Sequence, residues 1–296
     1  RCINKMKGQA VVHGAVSIVN AISTGKGAAL GIMLKTSSEV ILEPRDGKNI
    51  YNFSSNITQD RTLAEATVNE VLDRYGREKF EVTVSTESEI PEGKGLKSSS
   101  AASNSITLAA LSALRVITED IDIVKLAVIA SLKSGVTLTG AFDDACASFF
   151  GGFVVTDNLS RKIVKQELAP ENLSVLIYIP EEQIYTKDFD KKTIMFQKDK
   201  VSEAYNLARQ GEYWKAMILN GKIHSTALGL TLLPAEQALK SGAIAAGLSG
   251  TGPAVAAVCH SNVINEIKGS WQQLPGDIKI TAINNSKAEW VCLDEN

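Results

Sequence analysis

The stretch PEGKGLKSSSAA, residues 91–102, places glycines at 93 and 95, lysines at 94 and 97, and hydroxyls at Ser98, Ser99 and Ser100 just ahead of an Ala- and Leu-rich run. Residues of these types at this spacing can bind an anion. Glycine lets backbone approach a ligand closely, and the first turn of a helix offers unsatisfied N–H groups and a partial positive charge. Lysine adds charge, and a serine hydroxyl can bond a phosphate oxygen or ligate Mg2+. Downstream, Asp143 and Asp144 are adjacent acids in the otherwise apolar segment GAFDDACASFF. One such acid could be an ordinary helix cap, but a carboxylate in apolar surroundings can also take or orient a hydroxyl proton. A phosphate cradle beside a carboxylate is the equipment of phosphoryl transfer.

The two commonest phosphate loops do not fit. A Walker A loop needs glycine before its lysine, and Leu96 precedes Lys97. A dinucleotide fingerprint needs a third glycine, and Ser98 stands there. A flexible loop with a serine helix cap remains the bland alternative. The cradle is therefore read as Pro91, Gly93, Lys94, Gly95, Leu96, Lys97, Ser98, Ser99, Ser100 and Ala101, with Ser99 the candidate metal ligand. Two further groups of polar residues are candidates for holding an acceptor. Lys26, between Gly25 and Gly27, could meet an acceptor carboxylate, with Asn20, Ser23 and Thr24 bonding hydroxyls; an ordinary exposed lysine is the alternative. Ser249, Gly250, Thr251 and Gly252 form either a second clamp or a plain tight turn.

These residues need elements to position them. Residues 7–20 read as a strand, and the closely spaced glycines of 21–32 exclude a helix there. A short strand is expected at 37–44, a turn at 46–49, a helix over 60–75 capped by Asp60, and an alternating strand over 79–87. The run 98–114 is apolar or small on nearly every face, so its helix should be buried. A second buried helix spans 119–133, followed by a helical turn around 143–147 and a strand from Phe153. The C-terminal half carries a strand ending at Pro180, a charged exposed connection at 181–192, at least two helices in 202–229, and another from Pro234. A strand and glycine loop follow in 243–259, with a strand or helix after them, and a late strand lies at 278–286. Blocks of strands and helices without strict alternation favour an α+β fold.

The 296 residues are 44% hydrophobic and 22% charged, enough to bury a large core. A net charge of −2, from 31 basic and 33 acidic residues, argues against a nucleic-acid partner. No apolar run is long enough for a membrane span, and the N-terminal residues lack a signal-peptide pattern. Scattered Cys2, Cys146, Cys259 and Cys292 point to reduced thiols in a cytoplasmic protein, and the scattered histidines give little support for zinc. Met6 is read as the natural start, with residues 1–5 an addition to it.

The cradle resembles the P-x-x-x-G-L-G-S-S-A-A signature of the GHMP kinases. Two further motifs of that superfamily fall in order: HGAVSIVNAISTGKGAALGI from His13 and GLSGTGPAVAAV over 247–258. Lys97 in place of the usual glycine, STGKGAALGI near the start, and TGAFDDACASFFGG over 139–152 are similar to the archaeal-type shikimate kinases within the superfamily. The resemblance implies a two-lobe α+β fold: a ribosomal-S5-domain-2-like lobe over 1–152 and a ferredoxin-like lobe over 153–296. It also implies ATP, Mg2+ and the 3-hydroxyl of shikimate as acceptor; the oligomeric state, monomer or homodimer, is left open by the sequence. In members with a catalytic aspartate, that residue lies seven positions before a Gly-Gly pair, which selects Asp144, with Asp143 second. Two positions depart from the family. The site of a frequent magnesium-binding glutamate falls at Lys133, and that of a mevalonate-kinase-like lysine falls at Gln9, leaving Lys97 to supply charge. Another small-molecule kinase, such as a homoserine kinase, a dinucleotide-dependent oxidoreductase and a non-catalytic nucleotide binder remain alternatives.

Overall fold

The computed structural model describes residues 5–56, 61–137, 139–181 and 197–293. The chain opens with an antiparallel pair, β1 (Met6–Val19) and β2 (Lys26–Arg45). β3 (Ile50–Ser55) pairs in parallel with β4 (Lys79–Ser88), which lies antiparallel against the outer half of β2. The inner half of β2 pairs with β5 (Phe153–Asp157), and β5 with β6 (Lys162–Glu167). β11 (Glu289–Leu293) completes this seven-stranded sheet on the free side of β1. A four-stranded antiparallel sheet holds β10 (Gly276–Ala282), β7 (Leu173–Pro180), β9 (Val255–His260) and β8 (Ala245–Leu248), in that order. Residue 152 does not separate the two sheets: β5, β6 and β11, all C-terminal to it, belong to the larger one.

Helices α1 (Arg61–Tyr75), α2 (Ser98–Ala113), α3 (Asp120–Lys133) and α4 (Phe142–Phe150) form the layer over the larger sheet, with α2 lying along β1 and β2. Every residue of α2 from Ser100 to Ala113 is buried, as its small-and-apolar composition requires. Helices α5 (Lys198–Arg209) and α6 (Tyr213–Ala227) pack together, and α6 bridges β1 and β8. Phe153 on β5 stacks on Tyr213 of α6 with centroids 3.9 Å apart, tying this helix to the larger sheet. α7 (Leu233–Lys240) and α8 (Ile264–Trp271) cover the smaller sheet, where buried Trp271 donates its indole N–H to the Pro234 carbonyl. Among the described residues, no helix is long and apolar enough to cross a membrane, and Cys146, Cys259 and Cys292 are free thiols.

Several boundaries differ from the sequence reading for tertiary reasons. The expected strand at 37–44 is the outer half of one strand running from Lys26 to Arg45, because β1 and β5 pair with its glycine-rich inner half from either side. The turn expected around 143–147 is a full helix over 142–150. β3, β6 and β11 gave no clear local signal. The Asp60 cap and most of the charged connection at 181–192 lie outside the described residues.

Candidate active site

A cleft of about 710 Å³ opens at the N-terminus of α2. Four segments line it: Asn20 to Ile22 after β1, the loop and first turn from Gly93 to Ser100, the α3–α4 connection, and Gly250 with Thr251. Asp143 and Asp144 enter it from the first turn of α4. Each contribution follows from local sequence. The glycines at 93 and 95 take positive φ, which turns the chain sharply into α2. Lys97, the residue before the helix, also lies in the left-handed region (φ 66°, ψ 29°) and makes no side-chain cap, so the donors of the first turn are left for another partner.

Lys97 reaches across to α4. Its Nζ lies 2.9 Å from Asp144 Oδ1, with side-chain exposures of 7% and 15%. Asp144 Oδ1 has no hydrogen-bond partner, so this contact is an ion pair off the hydrogen-bonding direction. Among the described residues, Lys97 is the cation that lines the cleft. Asp143 sits deeper, 3% exposed. Its Oδ1 accepts the side-chain N–H of Asn158 at 2.8 Å, and its backbone N–H donates to Asn158 Oδ1 at 3.1 Å. Burial, reinforced by the neighbouring Asp144 charge, pushes Asp143 up to about 7, against the opposing pull of Lys97 and the Asn158 amide.

The glycine loop after β8 buttresses the phosphate loop. Ser249 Oγ donates to the Gly95 carbonyl at 2.7 Å and accepts the Ser17 N–H at 3.1 Å, while the Gly250 N–H donates to Ser17 Oγ at 2.9 Å. A β-carbon at position 95 would collide with the Ser249 carbonyl, so the close approach needs glycine there.

The structure thus brings Asn20, Gly93, Gly95, Lys97, Ser98, Ser99, Ser100, Asp143, Asp144, Gly250 and Thr251 to one cleft. It places the remaining candidates elsewhere. Pro91 lines a separate groove of about 410 Å³ with Ser55, Asn56 and Lys279. Lys94 turns away and donates to the Pro180 carbonyl at 3.3 Å, while Leu96 and Ala101 are core residues. Ser23 is buried, and Thr24 bonds the backbone of Lys26 within its own turn. Lys26 is exposed, with Nζ 5.8 Å from the centre of the Tyr205 ring, and does not line the cleft. Ser249 is the strut just described, and Gly252 packs beside Leu248 and Leu230. Lys133 pairs with Glu70 on the surface, so no carboxylate enters the cleft from that position. Among the described residues, no group of three or more His, Cys, Asp or Glu converges on a metal-sized site.

Two features escaped the sequence reading. The α3–α4 connection contributes Thr137 and Thr139 to the cleft, and buried Asn220 on α6 accepts the Asn20 N–H at 2.9 Å. Neither residue type nor spacing marks them, because both contacts are long-range in sequence.

Residues 62–152 match the family model described as GHMP kinases N terminal domain. A shikimate kinase of Methanosarcina acetivorans is 44% identical over 95% of this chain and 96% of its own, and one of Pyrococcus abyssi is 42% identical over 94% and 100%. Among solved structures, a homoserine kinase from Cytophaga hutchinsonii superposes with a TM-score of 0.76 at 18% identity, covering 98% of both chains. The Methanococcus jannaschii mevalonate kinase superposes at 0.73 and 15% identity, covering 94% of this chain and 98% of its own. These two share the fold. The chain belongs to the GHMP kinases, in the group that contains the archaeal relatives.

Proposed function

We propose that this GHMP kinase transfers the γ-phosphoryl group of ATP to the 3-hydroxyl of shikimate. Its relatives of that name align along nearly the whole chain. The structural observation that carries the reading is the Lys97–Asp144 pair, a cation and a carboxylate 2.9 Å apart in front of an uncapped helix N-terminus. The backbone donors of the first turn of α2, with the hydroxyls of Ser98 to Ser100, receive the phosphates. The acceptor's hydroxyl oxygen bonds to the γ-phosphorus as the bond to the bridging oxygen breaks, and ADP leaves with that electron pair. The hydroxyl proton passes to Asp144, while Lys97 offsets the charge spread over the transferred oxygens. Asn20, Gly250 and Thr251 line the same cleft, and the acceptor's remaining hydroxyls are assigned to them.

The residues present fit a magnesium ion carried on the nucleotide. Ser99 is exposed on the first turn of α2, and Mg2+ takes most of its ligands from water and phosphate oxygen, so one hydroxyl is an adequate protein contribution. Ser99 would hold the ion, which would neutralise phosphate charge when bound.

An ADP-release assay with ATP and Mg2+ tests the reading, offering shikimate and homoserine in parallel. Turnover is expected on shikimate alone, and Asp144→Asn is expected to lower it about 100- to 10,000-fold. Turnover on homoserine instead would overturn the acceptor, and full activity of Asp144→Asn would overturn the base.

A further inference from the structure

Among the described residues, Asp143 is the buried carboxylate at the cleft that the transfer step leaves unused, and three elements converge on it. Asn158, at the end of β5, is 3% exposed and bonds Asp143 twice. Its Nδ2 donates to Asp143 Oδ1 at 2.8 Å, and its Oδ1 accepts the Asp143 backbone N–H at 3.1 Å. Thr156, fully buried one pleat earlier, donates its hydroxyl to the same Asn158 Oδ1 at 2.7 Å. The Asp143 N–H, which can only donate, fixes the orientation of the amide: turned over, its NH2 would face that N–H and its oxygen would face the Asp143 carboxylate. The Asn158 backbone is itself anchored, its N–H donating to the Gly25 carbonyl at 2.8 Å.

The other carboxylate oxygen lies against Gly27. A β-carbon there would collide with Asp143 Oδ2, so glycine at the start of β2 makes room for this acid. The Gly25–Lys26–Gly27 segment therefore serves an internal carboxylate: one glycine carbonyl anchors Asn158, and the other glycine leaves space for Asp143. The next residue along α4 is Asp144. Fixing Asp143 by side chain and backbone thus fixes where the following residue leaves the helix.

We propose that Asn158, backed by Thr156, is a positioning residue for phosphoryl transfer: it locks Asp143 in place and thereby sets how Asp144 is presented to Lys97 and to the acceptor hydroxyl. This rests on Asp144 being the proton acceptor. The charged and titratable groups around Asp143 are Asp144 and Cys146 on α4 and Lys97 ahead of α2; burial and the two neighbouring carboxylates keep the Cys146 thiol protonated. In that setting the Asn158 amide stabilises the ionised form of Asp143. Removing it moves the titration of Asp143 upward, whichever protonation state is active, because its charged form loses a donor.

Steady-state kinetics across pH on Asn158→Leu, Thr156→Val and Asp144→Asn test the proposal. Asn158→Leu is near-isosteric and removes both bonds; Thr156→Val removes only the hydroxyl behind them. Asn158→Leu is expected to lower kcat roughly 10- to 100-fold with little change in the KM for ATP, the cost of a misplaced reacting group. Its pH–rate inflection near neutrality should move to higher pH, and Thr156→Val should move it the same way by less. If the Asn158→Leu and Thr156→Val profiles overlay the parent after scaling, or the loss lies wholly in KM, Asn158 is an ordinary structural hydrogen bond and the proposal fails while the base assignment stands. If Asp144→Asn keeps full turnover, the base assignment fails and the proposal falls with it.

Discussion

The N-termini of α2 and α4 face one cleft, and both begin after a residue other than glycine in the left-handed region: Lys97 at φ 66° and Ala141 at φ 45°, neither with a side-chain cap. That conformation costs an L-residue about 1–2 kcal/mol, so its occurrence at both helix starts marks positions where geometry outweighs local preference. The chemistry at the two ends is opposite. α2 leaves its first-turn donors and the Ser98 and Ser99 hydroxyls facing the cleft. α4 meets its own macrodipole with built-in acids, and Asn158 satisfies the Asp143 N–H. One helix start leaves its donors uncapped, and the other is filled by the protein's own acids and amide. The comparison teaches that strain follows the backbone geometry, whereas function follows what satisfies the donors.

The largest way to break that contrast is at Lys97. Lys97→Gly removes the backbone cost but strands Asp144 without its cation, so kcat is expected to fall roughly 100-fold or more with no gain in melting temperature. Turnover within tenfold of the parent would mean that the open helix end does not use this charge. Next comes the filled end. Between the ordinary aspartate pKa near 4 and the value of about 7 that Asp143 reaches, the folded protein keeps a proton that the unfolded chain has released. The contribution of Asp143 is therefore full below pH 4 and is lost as pH rises through 7. Asp143→Asn should remove this decline, which runs at up to about 1.4 kcal/mol per pH unit; denaturant melts at pH 4 and pH 8 measure it. Parallel slopes in the two proteins would place Asp143 in the ordinary aspartate range.

Ala141→Gly tests the strain alone, since no charge is lost. It should stabilise the fold by about 1 kcal/mol, read as a rise in melting temperature, where Lys97→Gly does not. The smallest effect is expected at Lys133, an exposed partner of Glu70 outside the cleft. Lys133→Met should leave kcat within about twofold and stability within about 1 kcal/mol, since exposed ion pairs contribute little. A large loss of Mg2+-dependent rate would instead bring that position into the site.

The parts of this protein that were readable in its sequence are those whose physics is local. Glycine spacing, serines and a small-residue helix mark the candidate anion cradle within a dozen residues, and helix and strand periods place α1, α2, α3, β1 and β4. Adjacent acids in an apolar run mark Asp143 and Asp144 as unusual. Other facts turn on contacts between distant segments. Lys94 and Lys97 are equivalent as letters, yet the loop sends one to the Pro180 carbonyl and the other to Asp144. The glycines around Lys26 look like a ligand loop, but Gly27 makes way for Asp143 and the Gly25 carbonyl anchors Asn158, both more than a hundred residues later. Asn158 carries no signal of its own, because a turn residue after a strand is ordinary until β5 and α4 pack together. The sequence by itself determined which residue types could bind phosphate and move a proton, because those properties belong to side chains and short backbone segments. Only the tertiary structure decided which of them meet, because burial, strain and the direction of a carboxylate are set by packing among β2, β5, α2 and α4.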